Sequence, residues 1–390
     1  MRLLADAVHP VPVRAAGLLL VLSRIWAGLC VMVLLALSAC AAPPSEGGLA
    51  GGFASAAATA TLDSSTVAIL MLEPTKRQFV LLNAFGTVLR SRDAGGATTL
   101  PSISVSDDGR RVAYWRSASS VFGAPYELVI WDVLADQSKL LLTLSAERPW
   151  GRPILSARGD LVAYATSTFE PPSPPETAKL RVMSVNDGRE RVLVTSERAY
   201  PIMPLAFSGE ELDAMQYAVD GSSQTNMALN LASGQIVRSQ TSPACRDVQV
   251  NYQSGAILCT SQDHAGAPFE LHAWTLSTFP TVVLHRSERD VTAILRTGTA
   301  ALLTGVPGTG SSYELRSQEF AQSTSSLLAT FDLVTVPLSV SPDGRWLLLA
   351  QTTFPGLAAL DLRAPSAGVR AVTPPVEWRG AIALGWVRRS

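Results

Sequence analysis

One turn of fixed chemistry, set between two apolar runs, recurs in this chain. Near the end it reads Val336-Pro-Leu-Ser-Val-Ser-Pro-Asp-Gly-Arg-Trp-Leu-Leu-Leu-Ala350. Pro342 presets φ for the turn, Asp343 can bond nearby backbone N–H groups, and Gly344 supplies a left-handed position. Two further short runs follow, Leu357–Leu362 and Val369–Thr373. The same order appears earlier. Ile103-Ser-Val-Ser-Asp-Asp-Gly-Arg-Arg-Val-Ala-Tyr-Trp115 carries Asp107 and Gly109 in its turn and leads to Leu128–Val133 and Lys139–Leu144. A third copy, Ile154–Tyr164, keeps only the turn glycine, Gly159. Such a turn commits its flanks to a hairpin, and a hairpin alone is marginal in water. The repeated unit must therefore bury its apolar faces against its neighbours.

The turn glycines Gly109, Gly159, Gly209, Gly255, Gly298 and Gly344 recur about every 45 to 50 residues. Four short strands at that period are the signature of a propeller blade. Six full units run from about Leu100 to Thr373. Ahead of them, Val67–Leu72, Gln78–Leu82 and Thr87–Arg90 supply three strands, and behind them Ile382–Val387 supplies one. Three plus one completes a seventh blade and hides the edge that an open array would expose. The expectation is an all-β, seven-bladed β-propeller of four-stranded antiparallel blades over residues 64–390, closed by the C-terminal strand joining the N-terminal blade. The turns Ser341–Arg345 and Ser106–Arg110 resemble the repeat of TolB-type (WD40-like) propellers. That resemblance implies a propeller fold and an extracytoplasmic compartment, with the turn residues in a structural role.

The N-terminus has the layout of an export signal. Arg2, Arg14 and Arg24 precede an apolar run, Ile25–Leu37, that ends in Leu37-Ser38-Ala39-Cys40. The run is 13 residues, whereas a membrane span needs about 20. The ending resembles the lipobox of bacterial lipoproteins, which implies cleavage before Cys40 and acylation of its thiol. An uncleaved anchor and a plain secretory signal are the alternatives. The division expected is a signal peptide over 1–39, a flexible tether over 40–63 and the propeller beyond. The partner implied is a membrane, reached through the N-terminal lipid. In a diderm cell, Ala41 after the cysteine favours the outer membrane, facing the periplasm.

Charge is nearly balanced at a formal −1, with 16% charged residues. Nucleic-acid binding needs clustered Lys and Arg, and no such cluster occurs. Of four cysteines, Cys245 and Cys259 remain beyond the lipobox and flank one expected hairpin, Val248–Val250 against Ala256–Leu258. They are candidates for a disulfide in an oxidising compartment, with two buried free thiols as the alternative. His264, His272 and His285 all fall in the fifth unit, and a metal site needs three or more converging ligands. No Gly-x-Ser-x-Gly elbow occurs, and the Asp107-Asp108 pair falls in a blade turn. No metal, cofactor or catalytic residue is therefore assigned.

The loops joining second and third strands vary in length. Phe122, Phe169 and Phe354 lie in them and are candidate anchors for a partner on one face of the disc. The function expected is a non-catalytic, lipid-anchored scaffold for another envelope protein. The alternative is an enzyme or small-ligand binder with its site in the central channel.

Overall fold

In the computed structural model, residues 67–388 are described apart from short interruptions, the longer ones being 96–102, 118–123 and 169–176. The described strands pair into seven four-stranded sheets. Sheet 1 holds β1 (Val67–Glu73), β2 (Gln78–Leu82) and β3 (Val88–Asp93). Sheet 2 holds β4 (Ile103–Val105), β5 (Arg111–Ser117), β6 (Tyr126–Asp132) and β7 (Gln137–Leu144). Sheet 3 is β8 (Arg148–Leu155), β9 (Leu161–Ser167), β10 (Thr177–Ser184) and β11 (Glu190–Glu197). Sheet 4 is β12 (Met203–Ser208), β13 (Glu211–Tyr217), β14 (Ser223–Asn230) and β15 (Ile236–Pro243). Sheet 5 is β16 (Cys245–Asn251), β17 (Ala256–Ser261), β18 (Phe269–Thr275) and β19 (Thr278–Ser287). Sheet 6 is β20 (Thr292–Leu295), β21 (Ala300–Pro307), β22 (Tyr313–Glu319) and β23 (Ser325–Phe331). Sheet 7 is β24 (Thr335–Val340), β25 (Trp346–Gln351), β26 (Leu357–Asp361) and β27 (Val369–Val372).

The last strand, β28 (Ile382–Arg388), leaves the end of the chain and pairs with β1, in the order β28-β1-β2-β3. Its register sets Val67 opposite Arg388 and Ile69 opposite Trp386. The two ends of the described chain therefore share one sheet. All strand pairs are antiparallel, so each sheet is a meander with alternate side chains on its two faces.

Those faces build the core. Phe79 of sheet 1 packs edge-on to Tyr114 (5.0 Å) and stacks on Trp131 (5.7 Å) of sheet 2. Trp115 meets Tyr164 of sheet 3 edge-on at 5.6 Å. Further apolar clusters join sheet 3 to 4, 5 to 6, 6 to 7 and 7 to 1. Burying one such side chain contributes about 1.5–3 kcal/mol, so these faces carry most of the stabilisation.

In sheets 1 to 6 the outermost strand skips one residue against its neighbour. Leu128 pairs with Leu142 and Val129 with Leu140, leaving Leu141 as the extra residue. Sheets 1, 3, 4, 5 and 6 repeat the irregularity. A bulge twists an exposed edge and blunts its pairing with another chain.

Candidate interaction groove

The repeated turns sit where β4 meets β5, β8 meets β9 and β24 meets β25. Gly109, Gly159 and Gly344 each have φ near +69°, a left-handed conformation open to glycine at little cost. Each glycine N–H donates to the serine carbonyl three residues back: Ser106 (2.8 Å), Ser156 (2.7 Å) and Ser341 (2.8 Å). The serine hydroxyl then accepts from the backbone beyond the turn, Arg111 N at 2.9 Å and Trp346 N at 2.8 Å. Asp343 Oδ1 accepts from Arg345 N at 3.1 Å, while Pro342 holds the preceding position.

In the second sheet the corresponding acceptor is Asp108, not Asp107. Asp108 Oδ1 takes Arg110 N at 3.0 Å and the Ser106 hydroxyl at 2.7 Å. Asp107 occupies the place of Pro342. Burial, and then the adjacent Asp108 carboxylate, push its carboxyl up to about 7. Its Oδ2 is buried without a hydrogen-bond partner. The turn of sheet 2 also binds its neighbours. Gly109 O accepts from Arg388 N at 2.8 Å, and Asp108 N donates to Ala157 O at 3.3 Å. A Cβ on Gly109 would lie 2.7 Å from Arg388 N.

A groove of about 570 Å³ opens where sheet 7 meets sheet 1. One wall is the β2–β3 turn, residues 85–88, and the other is the link from β27 to β28, residues 373–377. Asn83 builds the first wall: its Oδ1 accepts from both Phe85 N and Thr87 N at 2.9 Å. Gly86, at φ +86°, approaches so closely that a Cβ would meet Thr373 O at 2.1 Å. Phe85 is thereby left 51% exposed, and Val376 on the facing wall is 70% exposed. The Arg370 guanidinium lies 5.1 Å from the Phe85 ring centroid. Lys76 donates to Glu377 O and lies 4.7 Å above the Trp378 ring. Pro374 and Pro375 complete an apolar trough with charged groups at its margin.

The other sequence candidates divide. Cys40, Phe122, Phe169 and Phe354 lie outside the described residues. Cys259 is buried in β17 and disulfide-bonded. Cys245 lies in β16 opposite Ser261, two places from Cys259, and its side chain lies outside the described set. His272 and His285 fall in β18 and β19, as the strand reading expects, and His264 lies outside the described residues. Sequence reasoning did not find the groove, whose walls come from distant parts of the chain. It also missed a serine, histidine and glutamate brought together in sheet 5. Ser261 Oγ is 2.9 Å from His272 Nε2, and Glu270 Oε2 is 3.3 Å from that same nitrogen. In a hydrolase triad the carboxylate orients the opposite ring nitrogen. Here both contacts fall on one nitrogen, and Ser261 is 2% exposed.

Four-stranded antiparallel sheets, packed one on the next, make this protein a β-propeller. Among solved structures, the chain is similar to a putative 6-phosphogluconolactonase from Bacteroides fragilis, with 12% identity, a TM-score of 0.51, and 85% of this chain and 99% of that one covered. TolB from Acinetobacter baumannii matches at 16% identity and a TM-score of 0.44, over 72% of this chain and 67% of its own. The β-propeller domain of the Trilobed protease from Pyrococcus furiosus matches at 12% and 0.49, over 70% and 85%. These likenesses are of fold. No protein-family model and no curated protein matches the sequence.

Proposed function

We propose that this chain is a lipid-anchored envelope propeller that docks a partner protein rather than transforming a substrate. In this reading residues 1–39 are removed, Cys40 is acylated, 40–63 form the tether, and the seven sheets close as one seven-bladed ring. Cys259 is paired with Cys245 across the first two strands of sheet 5. The observation that carries the docking role is the groove between sheets 7 and 1. There Phe85 and Val376 stay exposed because Asn83 and Gly86 fix the turn that presents them. Exposed apolar residues grouped and rimmed by charge mark interaction sites. An aromatic set beside prolines suits an extended apolar segment of another envelope protein.

The test is crosslinking mass spectrometry on intact cells, comparing wild type with Phe85→Ser and Val376→Ser. The reading expects one envelope protein crosslinked near residues 76–90 in wild type and lost in both variants. A partner captured equally by all three would overturn the groove. Fatty-acid labelling that persists in Cys40→Ser would overturn the anchor.

A second reading, ligand binding or catalysis at the inner turns, is favoured by one observation. Asp107 carries a buried, unpartnered carboxyl oxygen, and burial pushes its carboxyl up to about 7, the range in which a general acid or base works best. Small-molecule screening by thermal shift, with Asp107→Asn as control, separates the two. A ligand that raises Tm in wild type and not in the variant would establish the second.

A further inference from the structure

The joints between successive sheets are not alike. At six of them the described facing residues form apolar clusters. At the joint between sheets 4 and 5 the described facing residues form a different set. Leu212, Ala214, Met227 and Leu229 of sheet 4 pack with sheet 3. Alternation then turns Glu211, Asp213 and Met215 of β13, and the paired Gln224, Asn226 and Ala228 of β14, toward sheet 5. On the other side, Leu258, Leu271 and Ala273 pack with Ala293 of sheet 6. The alternate residues Cys259, Ser261, Glu270 and His272 therefore face sheet 4. The inner strands of the two sheets, β12 and β16, adjoin. Among the described residues this joint is mostly polar.

Asp213 lies within it. It is 0% exposed, and neither carboxylate oxygen has a hydrogen-bond partner. Arg238, opposite Ala228 and so on the same face, is held by Glu211 of its own sheet and not by Asp213. Among the described residues, the other charged groups facing this joint are His272 and Glu270, the latter paired with Arg286 of β19. The neighbouring joints have a rim bond that this arginine does not make. Lys139 of sheet 2 donates to Val185 O and Asn186 O of sheet 3, and Arg191 of sheet 3 donates to Ala232 O of sheet 4.

We infer that the ring is built to part between its fourth and fifth sheets, and that ionisation of Asp213 drives the parting. A buried carboxyl without partners is tolerated only as the neutral acid, because an unpaired buried charge is costly. Burial, then the like charge of Glu211, push Asp213 up to about 8, with Arg238 opposing. Parting the sheets hydrates the group and returns it to the ordinary carboxylate range. The closed form thus holds one more proton than the open form between about pH 4 and pH 8. The closed form loses ground as pH rises through that window and no further above it.

The test is oxidative side-chain labelling of the whole protein from pH 6 to 9. Labelling of Met215, which faces the joint, should rise about tenfold per pH unit up to about pH 8 and then level off, while Met71 in sheet 1 stays protected. Asp213→Asn should abolish the slope. Glu211→Gln removes the like charge and frees Arg238, so the levelling should move to lower pH. A slope shared by all sheets, or one unchanged in Asp213→Asn, would overturn the inference. So would a levelling point unmoved by Glu211→Gln.

Discussion

Arg191 Nη1 donates to the carbonyl oxygen of Ala232 across 2.5 Å, tying the outer strand of sheet 3 to the β14–β15 turn of sheet 4. The relation recurs around the rim. Lys139 Nζ reaches Val185 O and Asn186 O at 2.7 Å, from sheet 2 to sheet 3. Arg90 and Arg92 reach Val133 O and Asp136 O at 2.9 Å, from sheet 1 to sheet 2. Arg370 of sheet 7 covers the Phe85 ring of sheet 1. Arg90, Arg92, Lys139 and Arg191, on the outer strands of sheets 1 to 3, each donate to the turn of the following sheet. Apolar faces hold the sheets together inside, and these bonds tie one sheet to the next at the rim. A hydrogen bond of this kind contributes about 0.5–1.5 kcal/mol net. Lys139→Met and Arg191→Met should each lower stability by about that much, and the double variant by their sum. Urea unfolding checks this, and a double variant no less stable than either single one would refute it.

Glu147, in the link between β7 and β8, carries a different joint. Its Oε2 accepts from Arg181 and from the Thr166 hydroxyl (2.7 Å), and its Oε1 from Lys179 at 2.9 Å. Burial acts to raise its carboxyl, but the hydrogen bonds from Arg181, Lys179 and Thr166 prevail and bring it down to about 2. The folded value lies below the unfolded one, so this stabilisation is complete above about pH 4.5. It is lost as pH falls toward 2. Glu147→Gln leaves the Arg181 side chain, 9% exposed, without one of its counter-charges. The variant should lose about 2–3 kcal/mol at pH 7, and the difference from wild type should shrink below pH 4. Unfolding curves at pH 3, 5 and 7 give the answer.

The sheets were legible in the sequence because the same few bonds specify each inner turn. Gly344 and Gly109 both bond back to a serine and admit the backbone beyond to its hydroxyl. Even sheet 4, where the motif has decayed, keeps the bond from Leu231 N to Glu210 O that matches Leu362 N to Arg345 O. The doubled Asp107-Asp108 could not be resolved from composition, since either carboxylate suits such a turn. Only the backbone decides that Asp108 caps it and Asp107 takes the place of Pro342. The groove was illegible for another reason. Phe85 and Val376 stand at opposite ends of the chain, and nothing local to either residue says that closure brings them face to face. The burial of Asp213 between two sheets was hidden likewise, because alternation tells which residues share a face but not which sheet that face meets.

Gly86 offers a separate test of the groove. Its φ of +86° and the 2.1 Å approach of a built Cβ to Thr373 O leave no room for a side chain. Gly86→Ala should cost about 1–2 kcal/mol from backbone conformation alone, and more from displacement of the 373–377 link. Asn83→Ala removes the two bonds that hold the same turn without introducing a clash. Both variants should weaken partner crosslinking at Phe85. Trp378 fluorescence should move in Gly86→Ala, because Trp378 ends the displaced link. Unchanged emission in a folded Gly86→Ala protein would show that the turn does not set the groove.

Closure itself can be measured at Trp386. This side chain is 3% exposed, sits opposite Ile69, and belongs to the cluster that joins sheet 7 to sheet 1 through Val67, Met71, Trp346 and Trp378. β28 is the sole strand of sheet 1 drawn from the far end of the chain, so its grip rests on six residue pairs and on what they bury. Trp386→Ala should cost about 3–5 kcal/mol. If β28 fastens the ring, the loss should come with a local signature: β1 amides should exchange faster than those of β9 or β13, because removing the strand bares the edge of β1 alone. Exchange that accelerates equally in all sheets would mean that the ring unfolds as one unit and that β28 does not open separately.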